Sequence, residues 1–398
     1  MNDNHPLSDV LVLDLGQIYN GPYATFLMAM AGARVIKVES LVGEALRGRG
    51  ENSSAAWPFT MLNQNKESIT LNLKSDKGKE MFRELVKKAD VVLENFSPDT
   101  MENLGLGPDA LREVNPRLIN AAGSGYGRSG EHRDFLAMDI TVQAMSGIMS
   151  CTGVDEMPPM KSGAALCDFF GGVHLYGAVV TALFDREKTG KGAFIDIAME
   201  DTVLPTLATV VGAYYFHDRE IPKRTGNRHP ALTLAPYNVY PAKDGHVAII
   251  CIREGHWRAL AGAMERPELI EDEKFGSMAA RAAAMDEVDE LVSAWTSQRT
   301  KQEALTILQE AGVPSSMVRN VEEVLNDSHL HAKGMLRRVQ HPAMGDIVLS
   351  NSPINVARDN PITPQLPPAL GEQNAAVYKE LLGLSDETLR QLSEQDVI

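Results

Sequence analysis

A doubly wound α/β sheet is the fold class that the first part of this sequence predicts, and three observations predict it. Residues 9–15 (DVLVLDL) and 34–39 (RVIKVE) read as buried strands. Between them GQIYNGPYATFLMAMAGA reads as a helix, with Pro22 suited to its first turn and Gly32 to its end. The pattern then repeats: KGKEMFRELVKKA is an amphipathic helix, DVVLENF a strand, PDALREVN a helix and RLINAAGSGYG a strand. A β-α-β unit implies parallel strands with a right-handed crossover. Loops at the ends of such strands are placed to hold a ligand.

From Asp139 the chain turns helical (DITVQAMSGIMS), and after a proline-rich loop a long apolar segment runs from Asp168 to Phe184. FIDIAM is a further strand and EDTVLPTLATVVGAYYF a further helix. The breaker-rich, basic IPKRTGNRHP reads as a linker. Beyond it DGHVAIICI is a strand, and GHWRALAGAM, MDEVDELVSAWTSQ and TKQEALTILQEAG are helices, which together suggest a smaller second domain. The expected division is residues 1–222, 223–325 and 326–398.

A length of 398 residues, 44% of them hydrophobic and 23% charged, allows a sizeable core. The formal net charge of -15 argues against general nucleic-acid binding, which needs a basic footprint. Cys151, Cys167 and Cys251 form no CxxC pair and are odd in number, so neither a disulfide framework nor a zinc site is expected. The start, MNDNHPLSDV, lacks the charged and apolar regions of a signal peptide, and no apolar run reads as long enough to span a membrane. The expectation is a cytoplasmic protein with no membrane partner.

Gly125, Gly127 and Gly130 spell GxGxxG after a strand, but EHRDFLAMD follows, which opens a helix poorly. A loop that lets a ligand approach backbone, or a plain turn, describes it better than a dinucleotide fingerprint. His217, His229, His246 and His256 are scattered without metal-ligand spacing, so no metal site is expected. No GxSxG elbow is present. Arg47, Arg49 and the PKRTGNR run are basic groups able to meet phosphates, or simply to be solvated.

Asp168 is the one acid in the small, apolar run SGAALCDFFGGVHLYG. One reading is a helix N-cap, since aspartate favours that position and an apolar helix follows. The other is a nucleophile: a helix N-terminus stabilises the anion, removal from water strips its hydration, and small neighbours admit a bulky substrate. Cys167 beside it reads as a small buried hydrophobe. The two readings of Asp168 are compatible.

The stretches LDLGQIYNGPYATFLMAMAGARVIKVE, LNQNKESITLNLK, ADVVLENFSPDTMENLGLG, VQAMSGIMSCTG, SGAALCDFFGG and LFDREKTGKGAFIDIAMED occur in this order along the chain. With them the sequence resembles the family III CoA transferases, the group that includes formyl-CoA and carnitine CoA transferases. The resemblance implies an open, Rossmann-like large domain built from both chain ends, a smaller inserted α+β domain, and a homodimer of interlocked subunits. It implies an acyl-CoA:carboxylate CoA-transferase in which Asp168 attacks the thioester. Free CoA thiolate then converts the resulting anhydride to an aspartyl-CoA thioester. No permanently bound cofactor is implied; coenzyme A enters as substrate. Amides after Asp168, or in a glycine loop, would steady the oxyanions.

By position, the resemblance places CoA contacts at Ile18, Tyr19, Asn20, Leu71, Asn95 and Phe96. Ser40 and Asn103 stand where some members carry arginine, so Arg47, Arg49 or Lys66 are the expected phosphate contacts. Met138, Gly125, Gly127, Gly171 and Gly172 are expected at the substrate pocket. The α-methylacyl-CoA racemases of the same fold carry a proton-accepting histidine where this chain has Met138, which makes racemisation the alternative activity. The resemblance implies acceptors that include dicarboxylates and larger acids, often with succinyl-CoA as donor, and an Arg or His of RTGNRHP could pair with a distal carboxylate.

Overall fold

The protein was analysed as a computed structural model that describes residues 5–47, 56–220, 224–354, 356 and 362–398. The chain forms two compact units. The first comprises Met1–Met145, Ala164–Val203 and Ser328–Ile398, and the second Ser146–Gly163 and Leu204–Asp327. The sequence-based boundary at 222 thus falls inside the second unit, which also takes in the proline-rich loop before Asp168.

The first unit is built on six parallel strands: β1 (Leu11–Asp14), β2 (Arg34–Glu39), β3 (Lys66–Thr70), β4 (Val91–Glu94), β5 (Ile119–Ser124) and β6 (Ala193–Ala198). Their spatial order is β3-β2-β1-β4-β5-β6. The order reverses between β1 and β4, so the loops leaving those two strands part and open a crevice at their carboxyl ends. The connecting helices are α1 (Asn20–Ala29), α2 (Ala56–Leu62), α3 (Asp76–Val86), α4 (Thr100–Asn103), α5 (Pro108–Val114), α6 (Asp139–Met145), α7 (Leu166–Thr189) and α8 (Met199–Val203).

Both faces of the sheet are covered. On one, Phe82 and Leu85 of α3 and Leu111 of α5 pack with Val377 and Tyr378 from the C-terminal helix Asn374–Leu382. On the other, Ala24 and Met28 of α1 pack with Leu175, Val179 and Leu183 of α7. The strands are near-continuous apolar runs because both faces are buried. By length and composition α7 is long and apolar enough to cross a membrane, where the sequence reading found no such run. Its inner face nevertheless packs into the sheet core, as in the core helix of a globular protein.

β3 was not recognised as a strand, because KESIT reads as a polar surface segment. Its first residue explains why it is one. Lys66 is fully buried, and its Nζ donates to Asp14 Oδ2 (2.9 Å), Thr25 Oγ1 (2.8 Å), Asn63 Oδ1 (3.0 Å) and the Pro22 carbonyl (3.2 Å). Burial pulls the Lys66 ammonium down to about 8, against the opposing pull of Asp14. Burial alone would raise the Asp14 carboxyl, but Lys66 and Lys37 outweigh it and hold the carboxyl below its ordinary value. The cluster ties β1, α1 and β3 together at the carboxyl end of β1.

In the second unit β7 (Tyr237–Ala242), β8 (Gly245–Ile250) and β9 (Ser315–Met317) form an antiparallel sheet. Helices Glu254–Ala263, Met285–Thr296 and Lys301–Glu310 cover it around Trp257, Val288 and Leu308. In the first unit β10 (Leu336–His341) and β11 (Gly345–Ser350) form a hairpin.

Lys66→Ala is expected to cost about 3–5 kcal/mol, because it leaves Asp14 charged and unpaired inside the protein. Lys66→Met combined with Asp14→Asn should recover most of that loss. Thermal unfolding of the three proteins checks it; a single variant as stable as wild type would contradict it.

Candidate active site

Two cavities of the first unit meet at the carboxyl ends of its strands. The larger, about 600 Å³, opens between the loops after β1, β2, β3 and β4, with Leu71, Lys74 and Phe96 on its walls. The smaller, about 280 Å³, holds Asp168 together with Ile18, Asn20, Asn95, Met138 and Arg133. Gln17 and Phe96 line both. The β1–α1 turn and the loop after β4 therefore form a shared wall between a crevice at the sheet's switch point and a pocket with one half-buried carboxylate.

The turn is held from below. Asp14 Oδ1 accepts from the Gly16 amide (2.8 Å), and the buried Lys37 Nζ donates to the Gly16 carbonyl (2.7 Å). Asn95 clasps Gln17 from both sides, accepting from its amide (2.7 Å) and donating to its carbonyl (3.0 Å). Ile18 is forced to φ 63°, a left-handed conformation that costs a β-branched residue energy and is a form of strain found at functional sites.

Asp168 lies in the first turn of α7 but does not cap it. The cap position is Ala165, which offers no side-chain acceptor. Asp139, at the start of α6, takes the role instead: its Oδ1 accepts from the amides of Cys167 (2.8 Å) and Asp168 (3.2 Å). Its Oδ2 accepts from Gln143 Nε2 (2.5 Å). The helix terminus thus stabilises Asp139. Burial, then the neighbouring Asp139 charge, push the Asp168 carboxyl up to about 7. This corrects the expectation that the helix N-terminus keeps Asp168 ionised. It also removes the first amides of α7 as oxyanion donors, since the next one, from Phe169, bonds the Ala165 carbonyl (3.3 Å). The Cys167 thiol is pushed up to about 12 by burial, with the Asp139 and Asp168 charges adding to it, so it is held as a neutral thiol.

Asn20 reaches α7 from α1. Its Nδ2 donates to the Asp168 carbonyl at 3.5 Å, and its buried Oδ1 has no hydrogen-bond partner. Gly171 and Gly172 make that approach possible. A Cβ on Gly171 would lie 2.1 Å from Asn20 Nδ2, and one on Gly172 2.8 Å from the Asn20 carbonyl. Both glycines therefore face α1, not the substrate pocket where the sequence placed them. Gly125 does line the pocket, and it is glycine because a Cβ there would sit 2.0 Å from that of Ala137. Gly127 lies in a tight turn at φ 82°, its amide donating to Ser124 Oγ (2.9 Å), outside the cavity wall.

Of the positions matched for CoA, Leu71 and Phe96 line the larger cavity, and Ile18, Asn20, Asn95 and Phe96 the smaller. Tyr19 faces away, stacked on Phe169 with ring centroids 5.9 Å apart. Among the expected phosphate contacts, Lys66 is consumed by the buried cluster. Arg47 is tied to Glu39 (2.9 Å) and the Pro368 carbonyl (3.1 Å) and lies over Phe59. Arg49 falls outside the described residues. Lys74, which the sequence reading passed over within LNLK, is the one basic residue among the described residues on the larger cavity's wall, where Ser40 and Asn103 also lie. In the RTGNRHP loop, Arg224 bonds the Met157 carbonyl (2.6 Å), and Arg228 pairs with Asp286 (2.7 Å) and Asp289 (2.6 Å).

The crevice at the sheet's switch point thus adjoins a pocket whose wall carries Asp168. The profile of CoA-transferase family III matches residues 7–374, and the chain belongs to that family. It is 37% identical over 385 residues to a succinyl-CoA:mesaconate CoA-transferase of Haloarcula marismortui, covering 94% of this chain and 96% of that one. It is 35% identical to a succinate–glutarate CoA-transferase of Agrobacterium fabrum, covering 96% of each chain. A formyl-CoA:oxalate CoA-transferase of Streptomyces avermitilis is 34% identical, over 98% of this chain and 99% of its own. The crystal structure of a CaiB/BaiF family protein from Brucella suis superposes with a TM-score of 0.83 at 33% identity, covering 95% of this chain and 100% of that one.

Titration of the Asp168 carboxyl carbon by NMR should show a midpoint near 7. Asp139→Asn keeps an oxygen for the two amides but removes the charge, and should lower the midpoint by about one pH unit. A wild-type midpoint in the ordinary carboxylate range would contradict the burial argument.

Proposed function

We propose that this CoA-transferase moves CoA from an acyl-CoA donor to a free carboxylic acid through covalent intermediates on Asp168. The observation that carries the reading is a single half-buried carboxylate on the wall of a pocket that shares Gln17 and Phe96 with the switch-point crevice. The nucleotide end of CoA occupies the crevice, with Lys74 meeting a phosphate. The pantetheine arm passes between Gln17 and Phe96, and the thioester reaches Asp168.

The ionised Asp168 oxygen attacks the thioester carbonyl. The C–S bond breaks, leaving a mixed anhydride and CoA thiolate. The thiolate attacks the aspartyl Cγ and expels the donor's carboxylate, giving an aspartyl-CoA thioester. The acceptor carboxylate reverses these steps: it displaces thiolate to form a second anhydride, and thiolate then attacks the acceptor's acyl carbon and frees Asp168. Atoms balance without a redox partner. A carboxylate poised near neutrality is a better nucleophile than an ordinary one and is still available in charged form at pH 7. The donor is succinyl-CoA and the acceptor a dicarboxylate in this reading, which the names of two relatives support. Racemisation needs a base at the α-carbon, and Met138, on the same wall, cannot take a proton.

The reading includes a cytoplasmic, interlocked homodimer. Phe170, Val173 and Phe184 on α7, and Phe194 on the edge strand β6, leave an exposed apolar face that a second copy would cover, which supports it. The net charge of -15 supports the absence of a nucleic-acid partner.

Asp168→Ala should reduce transfer by about 10³-fold or more while CoA affinity, measured by calorimetry, stays within a few-fold of wild type. Near-wild-type turnover would remove Asp168 from the mechanism.

A further inference from the structure

We infer that Arg133 is the residue that selects dicarboxylate acceptors, by pairing with the carboxylate that does not react. The inference rests on the reading of Asp168 above and extends it to the other end of the acceptor.

The pocket poses an electrostatic problem. Asp168 stands on its wall with the Asp139 charge beside it, and the acceptor must bring in at least one more negative charge. A diacid brings two. A second carboxylate enters a partly dehydrated pocket only if a cation meets it. Among the described residues lining the pocket, Arg133 is the one basic side chain. Of the loop residues expected from the sequence to do this, Arg224 and Arg228 are committed to carbonyls and carboxylates of the second unit.

Arg133 is held without being used up. Its Nη2 donates to Asp99 at the end of the β4 loop. Asp99 keeps half of its side-chain surface in solvent (51%), so the pair is of the weak, exchangeable kind. Its Nε pairs with Asp134 Oδ1 at 3.2 Å, and Asp134 keeps 78% of its side-chain surface in solvent. Both partner carboxylates are solvent-exposed, so a ligand carboxylate can compete with them for the guanidinium. The guanidinium is planar and forked, so one incoming carboxylate engages two of its N–H groups at once, a match that an ammonium cannot reproduce. The loop around it is stiffened by rings: His132 and Phe135 lie 4.8 Å apart between centroids, with Tyr126 edge-on to both. Tyr126 and Phe135 line the same pocket and would cover the aliphatic middle of a short diacid.

The test uses the full-length enzyme with butyryl-CoA as donor, which carries no second carboxylate. Acceptors are the C3–C6 linear diacids and the monoacids of matched chain length. In wild type the diacids should be preferred. Arg133→Gln should lower kcat/KM for the best diacid by about 100-fold while leaving the monoacids within a few-fold, and Arg133→Lys should fall between. Acylation of Asp168 by butyryl-CoA, followed by mass spectrometry, should proceed at the wild-type rate in both variants. If wild type shows no acylation at Asp168, the covalent reading fails. Normal acylation with equal losses for diacids and monoacids would make Arg133 a structural tether and overturn the inference. An unchanged preference in Arg133→Gln, or a wild type that prefers monoacids, would overturn it too.

Discussion

Two carboxylates compete for one helix N-terminus, and the chemistry of the site depends on which one wins. The first amides of α7 can stabilise one anion well. Asp139 takes them, fixed in turn by Gln143, and Asp168 is left beside it, half-buried in the pocket wall. Had Asp168 capped the helix, its oxygens would be occupied and its basicity lowered. Because Asp139 caps it, the Asp168 oxygens are left to the pocket and its proton affinity rises toward neutrality. A carboxylate is otherwise too weak a base and too well hydrated to attack a thioester readily.

The proposed reaction also requires that the substrate's reactive end arrive at that carboxylate, and here the buried Asp14–Lys66 pair matters. It sits under the β1–α1 turn and, with Lys37 and Asn95, fixes Gln17 against both cavities and Ile18 and Asn20 against the smaller. The strain at Ile18 is tolerated because the turn is held on both sides. The same turn brings Asn20 to α7 at two glycines, so the support of the crevice and the support of Asp168 are one continuous piece of packing.

Much of this was legible in the sequence because it is local. Apolar runs bounded by turn residues reveal β1, β2, β4, β5 and β6. Asp168 stood out because it is the single acid in the apolar run SGAALCDFFGGVHLYG. What was hidden is non-local. Lys66 was expected to meet a phosphate, since its partner Asp14 lies 52 residues away. Asp139 is 29 residues from the amide of Asp168 that it caps, so the capping role was assigned to the nearer acid. Gly171 and Gly172 looked like room for a substrate, when the space they leave is filled by α1. Arg133 was lost in the mixed-charge run EHRDF, which reads as a solvated loop. β7 was obscured by Pro241, which a strand accepts only at a sheet edge, and that is where β7 lies.

The most direct test of the account is chemical trapping. The enzyme is incubated with succinyl-CoA and no acceptor, quenched with hydroxylamine, digested and analysed by mass spectrometry. A hydroxamate on the peptide containing Asp168 is the expected result, since both the anhydride and the aspartyl thioester react with hydroxylamine while a free carboxylate does not. An unmodified Asp168 peptide, with deuterium from solvent appearing at the α-carbon of the acyl group, would contradict it and move the chemistry to proton abstraction.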